Sequence, residues 1–234
     1  MKLGSWLFNS NKKRNIKIIE EIINGKLTYL SKNKLIAIAN TCEEIEKEKV
    51  EGIFLEAGCA LGGSAILIAS LKKKETPLYL YDVFDTIPPP SEKDPEEIHE
   101  RYEIIKSGKS TGIDGDKYYG YIDNLQDLVR NNLSKYNCEC TQNNIHLIKG
   151  LLQDTMQLDQ PIAFAHIDVD WYDPVKTCLE RIFPKLSIGG SIIIDDYFDW
   201  SGCKKAVDEY LTKINGKFKQ DSSAGNMKIK KIKN

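Results

Sequence analysis

Four carboxylates close two apolar runs in this chain. The stretch "AFAHIDVDWYDP", Ala163–Pro174, carries Asp168 and Asp170 at i, i+2, and "GGSIIIDD" ends in Asp195 and Asp196. If the first run stays a regular strand to its end, Asp168 and Asp170 point to the same side. Carboxylates converging at one sheet edge are costly without a cation. With substrate oxygens and water, three of them make an oxygen-rich site suited to Mg²⁺. Such a site can lower the pKa of a bound hydroxyl, and a remaining carboxylate can take its proton. A plainer reading makes Asp168 and Asp170 solvent-facing caps of the helix that starts near Asp173–Pro174. Asp173 itself reads as that helix's cap, with Pro174 in the first helical position.

A second constellation lies upstream. "LEAGCALGGS" places Glu56, Gly58, Gly62 and Gly63 between an apolar strand and a helix. Glycines there let the backbone turn sharply and approach a ligand, and the helix start behind them offers free N–H groups. The spacing is E-x-G-x-x-x-G. It is neither the dinucleotide fingerprint nor a phosphate-binding P-loop. Asp82, at the end of the next strand "PLYLYDVF", can take both ribose hydroxyls of a nucleoside, or can cap a turn.

Both constellations need a frame that brings strand ends together. "VEGIFLE", "PLYLYDVF", "NIHLIKG", "IAFAHIDVD" and "GGSIIIDD" read as buried strands separated by helices. That pattern implies a mostly parallel sheet covered on both faces, with ligands beyond the carboxyl ends of the strands. Apolar residues at helical spacing predict two N-terminal helices, over 15–24 and 31–47, joined through "GKLTYL". "DPVKTCLERIFPKLSIGG" predicts a helix stopped near Pro184 and a Gly189–Gly190 turn. "CKKAVDEYLTKI" predicts another helix, and the alternating "NMKIKKIKN" a lysine-rich edge strand. From Thr86 to Gly120 the alternation breaks into a polar, Pro- and Gly-rich insertion with a short helix over 95–106. Its length, embedded helix and "DKYYGY" aromatics favour a lid.

Together, "VEGIFLEAGCALGGSA", "DVFDTIPPP", "GLLQDT", "FAHIDVDWYDP" and "GGSIIIDDYFDWSGCKKAVDEY", in order over residues 50–211, resemble the TylF/MycF (macrocin) O-methyltransferase family. The resemblance implies a Rossmann-like class I methyltransferase fold: a mostly parallel seven-stranded α/β sheet with helices on both faces. The whole chain, 1–234, is then one domain, with an N-terminal helical segment at 1–49 and a substrate lid at 86–120. It implies S-adenosylmethionine (SAM) as cofactor, Mg²⁺ or another divalent cation, and a sugar hydroxyl as acceptor. By the same resemblance Asp168, Asp195 and Asp196 hold the metal and Asp170 is the base. The cofactor falls to Glu56, Ala57, Gly58, Gly62, Ser64, Asp82, Leu151, Gln153 and Asp168, with the loop around Leu151 and Gln153 wrapping the adenine. His166 reads as core or support rather than as a ligand. Trp171, Tyr172, Tyr197, Phe198 and Trp200 can stack on a sugar or on adenine, or can be core.

Rival readings stay open. A D-x-D also binds Mn²⁺ and a nucleotide diphosphate in many glycosyltransferases, but that leaves Glu56, the glycine turn, Asp82 and "IIIDD" unexplained. A catechol-type O-methyltransferase shares the metal logic. A nicotinamide-dependent dehydrogenase wants a glycine fingerprint that is absent, and a non-catalytic binding module would not keep all four carboxylates. The net charge of −1 indicates no general attraction to nucleic acid or to an anionic membrane. No run reaches the apolar length that spans a bilayer, and the first residues make a poor secretory signal. Six cysteines without a C-x-x-C pair argue against zinc and for a reducing cytoplasm. Lys-heavy, Asn- and Ile-rich composition looks like coding bias of an AT-rich genome. This turns the expected acceptor from antibiotic sugars toward a surface or structural glycan. A homodimer or higher homo-oligomer is left open.

Overall fold

The computed structural model describes the backbone of residues 3–234 and side chains from Lys12 onward. Seven strands form one sheet: β1 (Ile53–Ala57), β2 (Leu78–Asp82), β3 (Ile145–Lys149), β4 (Ile162–Ile167), β5 (Leu186–Ile194), β6 (Phe218–Asp221) and β7 (Met227–Lys231), in the order β3-β2-β1-β4-β5-β7-β6. The pairs among β1–β5 are parallel, and β7 runs antiparallel to both neighbours. The sheet is therefore mixed.

The helices are α1 (Leu3–Asn24), α2 (Lys32–Glu48), α3 (Gly63–Leu71), α4 (Glu96–Lys106), α5 (Leu125–Lys135), the one-turn α6 (Leu152–Thr155), α7 (Tyr172–Lys185) and α8 (Ser201–Lys213). Two apolar layers lie on the two faces of the sheet. One gathers α1, α2, α3 and α5 over alternate strand residues such as Phe54 and Phe164. The other gathers α7 and α8 over their neighbours Leu55 and Ala165. Every residue of β1 and β4 is buried, as strands covered on both faces must be. Fully burying an Ile or Phe contributes about 1.5–3 kcal/mol, so these central strands are the most firmly held part of the frame.

Three sequence expectations change. "NMKIKKIKN" supplies β7, which is internal. The edge on that side is β6, four residues in which a single Phe218 followed by three polar residues carries no strand signal. The lysines of β7 instead reach across to α2: Lys228 and Lys230 contact the Glu44 carboxylate at 2.5 and 2.7 Å. Gly189 and Gly190 lie inside β5, where the register against β4 slips between Ile162 and Phe164. Helix α1 begins well before residue 15. No helix among the described residues is long and apolar enough to cross a membrane.

Candidate functional site

The first element of the site is the turn after β1. Gly58 adopts φ +85°, and a Cβ there would lie 1.7 Å from the carbonyl oxygen of Asp168. Only glycine fits where the β1 and β4 ends come this close. The next two residues are tied down by Asp82. Its Oδ2 accepts the N–H groups of Cys59 and Ala60 at 2.6 and 3.2 Å, and its Oδ1 accepts that of Phe84 at 2.7 Å. Burial raises the Asp82 pKa, and these backbone bonds pull the other way. Asp82 thus clasps the turn while facing the crevice, with lone-pair capacity left for a ligand. Helix α3 starts at Gly63 without a side-chain cap. Gly63 is pressed against the chain before α2: its N–H donates to the Leu27 carbonyl at 2.9 Å.

Glu56 departs from its expected place. It lies behind the turn, wholly buried, with Oε1 2.8 Å from His166 Nδ1 on β4; its Oε2 and His166 Nε2 have no partner. Burial alone would lower the His166 pKa, but the Glu56 carboxylate raises it above its ordinary value. Neither residue lines the crevice, and nor does Ala57, whose carbonyl accepts the Asp168 N–H at 2.8 Å. Residues of β1 alternate between faces, and Glu56 falls on the face covered by α2 and α3.

The carboxylates gather at the ends of β4 and β5. Strand β4 stops at Ile167, so the regular alternation through Asp170 does not hold. Asp170 is left-handed, φ +55°, and donates its N–H to Asp196 Oδ2 at 3.2 Å. Asp168, Asp195 and Asp196 bring one oxygen each within 4.8 Å of one another. Asp195 Oδ2 meets Lys34 Nζ of α2 at 2.9 Å, and the same ammonium reaches Asp199 at 2.6 Å. Asp195 Oδ1 is buried without a partner. Burial, and then the neighbouring aspartates, push the Asp168 and Asp196 pKa values well above the carboxylate range. Asp170 is pushed up to about 6, chiefly by burial.

Helix α7 begins at Tyr172, so Asp173 is its second residue and Pro174 its third; Asp173 is not the cap. It pairs with Lys93 at 2.8 Å. The first N–H of α7, that of Tyr172, is taken by Asp94 of the 86–120 segment at 2.8 Å.

Two cavities meet at these residues. One, of about 430 Å³, runs from Gly58 past Tyr81 and Asp82 to the Pro88–Ser91 strap and the Gly150–Gln153 loop. Leu151 and Gln153 are among its lining residues. Arg181 pins that loop by donating to the carbonyls of Leu152, Gln153 and Met156 at 2.8–2.9 Å. The other, of about 330 Å³, is walled by Tyr29, Lys34, Arg101, Tyr118, Asp195 and Trp200 among others, and Ser64 faces it rather than the first. Gly58, Tyr119, Asp168, Asp170 and Trp171 line both. Sequence reasoning missed Asp85, Tyr29, Lys34 and Arg101. Asp85 sits in the quoted "DVFDT" beside Asp82, and spacing could have flagged it. The other three reach the site only through tertiary folding of the N-terminal and 86–120 segments.

The comparisons with known proteins agree with this geometry. The family model described as macrocin O-methyltransferase (TylF) matches residues 24–220. The chain is 24% identical over 199 residues to demethyldecarbamoylnovobiocin O-methyltransferase of Streptomyces niveus, covering 80% of this chain and 69% of that protein. It is 25% identical over 194 residues to mycinamicin III 3''-O-methyltransferase of Micromonospora griseorubida, covering 78% and 69%. The fold is similar to the solved O-methyltransferase NovP, with a TM-score of 0.71 at 23% identity over 88% of this chain and 83% of that one. The calicheamicin methyltransferase CalS11 shares it at 0.57 and 16%, over 95% and 91%. A glycine turn behind a cofactor-sized cavity, a carboxylate cluster at its far wall and the family match agree: the chain belongs to the macrocin O-methyltransferase (TylF) family of SAM-dependent O-methyltransferases.

Proposed function

We propose that this enzyme methylates a sugar hydroxyl of a glycosylated metabolite or glycan, using SAM in the Gly58–Asp82 cavity and a divalent cation at Asp168, Asp195 and Asp196. The observation that carries the reading is the wall shared by the two cavities. A methyl donor on one side and a hydroxyl on the other meet at Asp168 and Asp170, and nowhere else along the crevice do both spaces touch the same carboxylates.

The cofactor side fits a nucleoside-bearing ligand. Gly58 leaves the backbone bare, Asp82 and Asp85 offer acceptors for ribose hydroxyls, and Leu151, Gln153 and Tyr81 supply the flanks for a base. When bound, SAM supplies an electrophilic methyl group for in-line displacement. The chain's contribution is to hold donor and hydroxyl in line, which can be worth up to about 7–11 kcal/mol.

The carboxylate side fits a cation. Three crowded acids, of which Asp168 and Asp196 have raised pKa values, and a buried Asp195 oxygen with no partner, are an arrangement a divalent ion completes. Such an ion supplies a pKa-lowering contact to a hydroxyl. Asp170 then accepts the proton. Its pKa of about 6 leaves it mostly ionised at neutral pH and closer to a hydroxyl's range than an ordinary carboxylate. Tyr29, Tyr118, Trp171 and Trp200 offer faces for a pyranose ring. A relative from Streptomyces olivaceus, 33% identical over 86 residues, is named for a rhamnosyl tetracenomycin substrate, which supports a sugar acceptor.

Calorimetry with SAM, a UDP-sugar plus Mn²⁺, and NAD tests the class: SAM alone is expected to bind. Binding of the UDP-sugar with Mn²⁺ and not of SAM would overturn the reading in favour of glycosyl transfer. Mass spectrometry of glycan extracts incubated with enzyme, Mg²⁺ and labelled SAM then identifies the acceptor.

A further inference from the structure

The turn that carries Asp170 is gripped from outside its own strand and helix. Trp171, the next residue, donates its indole N–H to the Pro88 carbonyl at 2.9 Å. Tyr172, the first residue of α7, donates its backbone N–H to Asp94 Oδ1 at 2.8 Å. Both acceptors belong to the 86–120 segment. Asp94 is only 5% exposed, and its Oδ2 accepts the backbone N–H and the hydroxyl of Ser91 at 3.0 and 3.2 Å. The residue before a helix ordinarily supplies the cap. Here that residue is Trp171, which caps nothing, and the cap comes from a carboxylate 78 positions away in the chain. Gly202 of α8 makes room for it: a Cβ there would lie 2.3 Å from Asp94 Oδ1. The strap Pro88–Ser91 between these two grips also forms part of the cofactor cavity wall. Finally, Asp170 is left-handed, a conformation that is unfavourable for a non-glycine residue and persists where its surroundings over-determine it.

We infer that Asp94 is a positioning residue: it docks the 86–120 segment on the first turn of α7 and so holds the Asp170 turn, coupling occupancy of the cofactor cavity to placement of the base. This rests on the proposed reading of that cavity. A ligand lying against Pro88–Ser91 seats the strap. The seated strap fixes Trp171 and Tyr172, and these fix the residue before them. Filling the methyl donor's cavity thus tightens a hold on the base that the Pro88 and Asp94 bonds already make.

Hydrogen exchange on the full chain, with and without S-adenosylhomocysteine, tests the coupling. In the unaltered protein the probe should slow exchange at residues 170–173. Asp94→Ala should remove that effect, about five- to tenfold for loss of one cap, with calorimetric affinity for the probe falling by no more than a similar factor, as linkage requires, while β4 keeps its protection. Asp94→Asn, whose amide oxygen can still accept from Tyr172, should restore most of it. Gly202→Ala, which displaces the Asp94 carboxylate without removing it, should behave like Asp94→Ala and carries the test if that variant does not fold. Probe-induced protection in Asp94→Ala and Gly202→Ala equal to that of the unaltered protein overturns the inference. If the probe fails to bind the unaltered protein, the cofactor reading falls instead. Exchange of the Tyr172 amide without ligand then decides the clamp: faster in Asp94→Ala supports it, and unchanged overturns it.

Discussion

Neutralising Asp196 should make the metal-free protein more stable and deaf to Mg²⁺. Asp168, Asp195 and Asp196 hold oxygens within 4.8 Å of one another, and two unit charges at that separation repel by about 3.5 kcal/mol at an effective dielectric of 20. Part of this is already relieved, because the raised pKa values of Asp168 and Asp196 mean that protons are shared within the cluster. The remainder recoverable by Asp196→Asn is on the order of 1–3 kcal/mol, or about 2–12 °C in Tm for a chain of this size. The bond from the Asp170 N–H survives, since asparagine keeps an oxygen acceptor. Asp195→Asn is the internal control. It removes a similar repulsion but also the 2.9 Å ion pair with the half-buried Lys34, so its gain should be clearly smaller. Thermal unfolding near neutral pH, with and without Mg²⁺, reads both. The unaltered protein should gain stability from Mg²⁺ and Asp196→Asn should not. A metal-free Asp196→Asn protein less stable than its parent, or one that still responds fully to Mg²⁺, refutes the reasoning.

Other expectations are shorter to state. Asp170→Asn should keep SAM binding in calorimetry, because asparagine tolerates the left-handed backbone, and should lose turnover by ~10²–10⁴-fold as removal of a general base does. The metal-free protein should lose stability as pH rises through about 6, because folding raises the Asp170 pKa from 3.8 to about 6: the folded state holds more protons than the unfolded state between those values. The Mg²⁺-induced rise in Tm should therefore be larger at neutral pH than at about pH 5, and a pH-independent rise counts against it. Glu56→Ala should destabilise the fold by about 3–5 kcal/mol in denaturant titration, because it strands buried His166. Gly58→Ala should abolish SAM binding, since its Cβ overlaps the Asp168 carbonyl; intact binding would mean the β1 and β4 ends can part.

What could be read from the chain follows how local each signal is. The buried strands announced themselves as apolar runs ended by acids, and the short helix after Pro95 was visible from its spacing. Strand β6 was not, because one half-buried Phe218 followed by three exposed polar residues becomes a strand only when β7 pairs with it. The start of α7 was misplaced because its cap is Asp94, far upstream, so the local Asp173–Pro174 signal pointed two residues too late. The carboxylate cluster was legible as strand ends sharing one sheet edge. Glu56 was legible as part of a motif but not as a residue behind the wall, since the motif does not say which face of β1 the covering helices bury. Tyr29, Lys34 and Arg101 carried no signal, being ordinary residues in a helix connection, the first turn of α2 and an insertion.

The sheet supplies the cofactor turn and the four acids, whereas the opposite wall is assembled from the α1–α2 connection around Leu27–Leu30 and from the 101–119 stretch. Those pieces contribute no strand to the sheet. Selection can therefore rework which acceptor is admitted by exchanging two segments, leaving the strand ends that carry the turn and the acids as a fixed chassis. A graft of residues 27–30 and 101–119 between family members is the unit in which acceptor preference should travel.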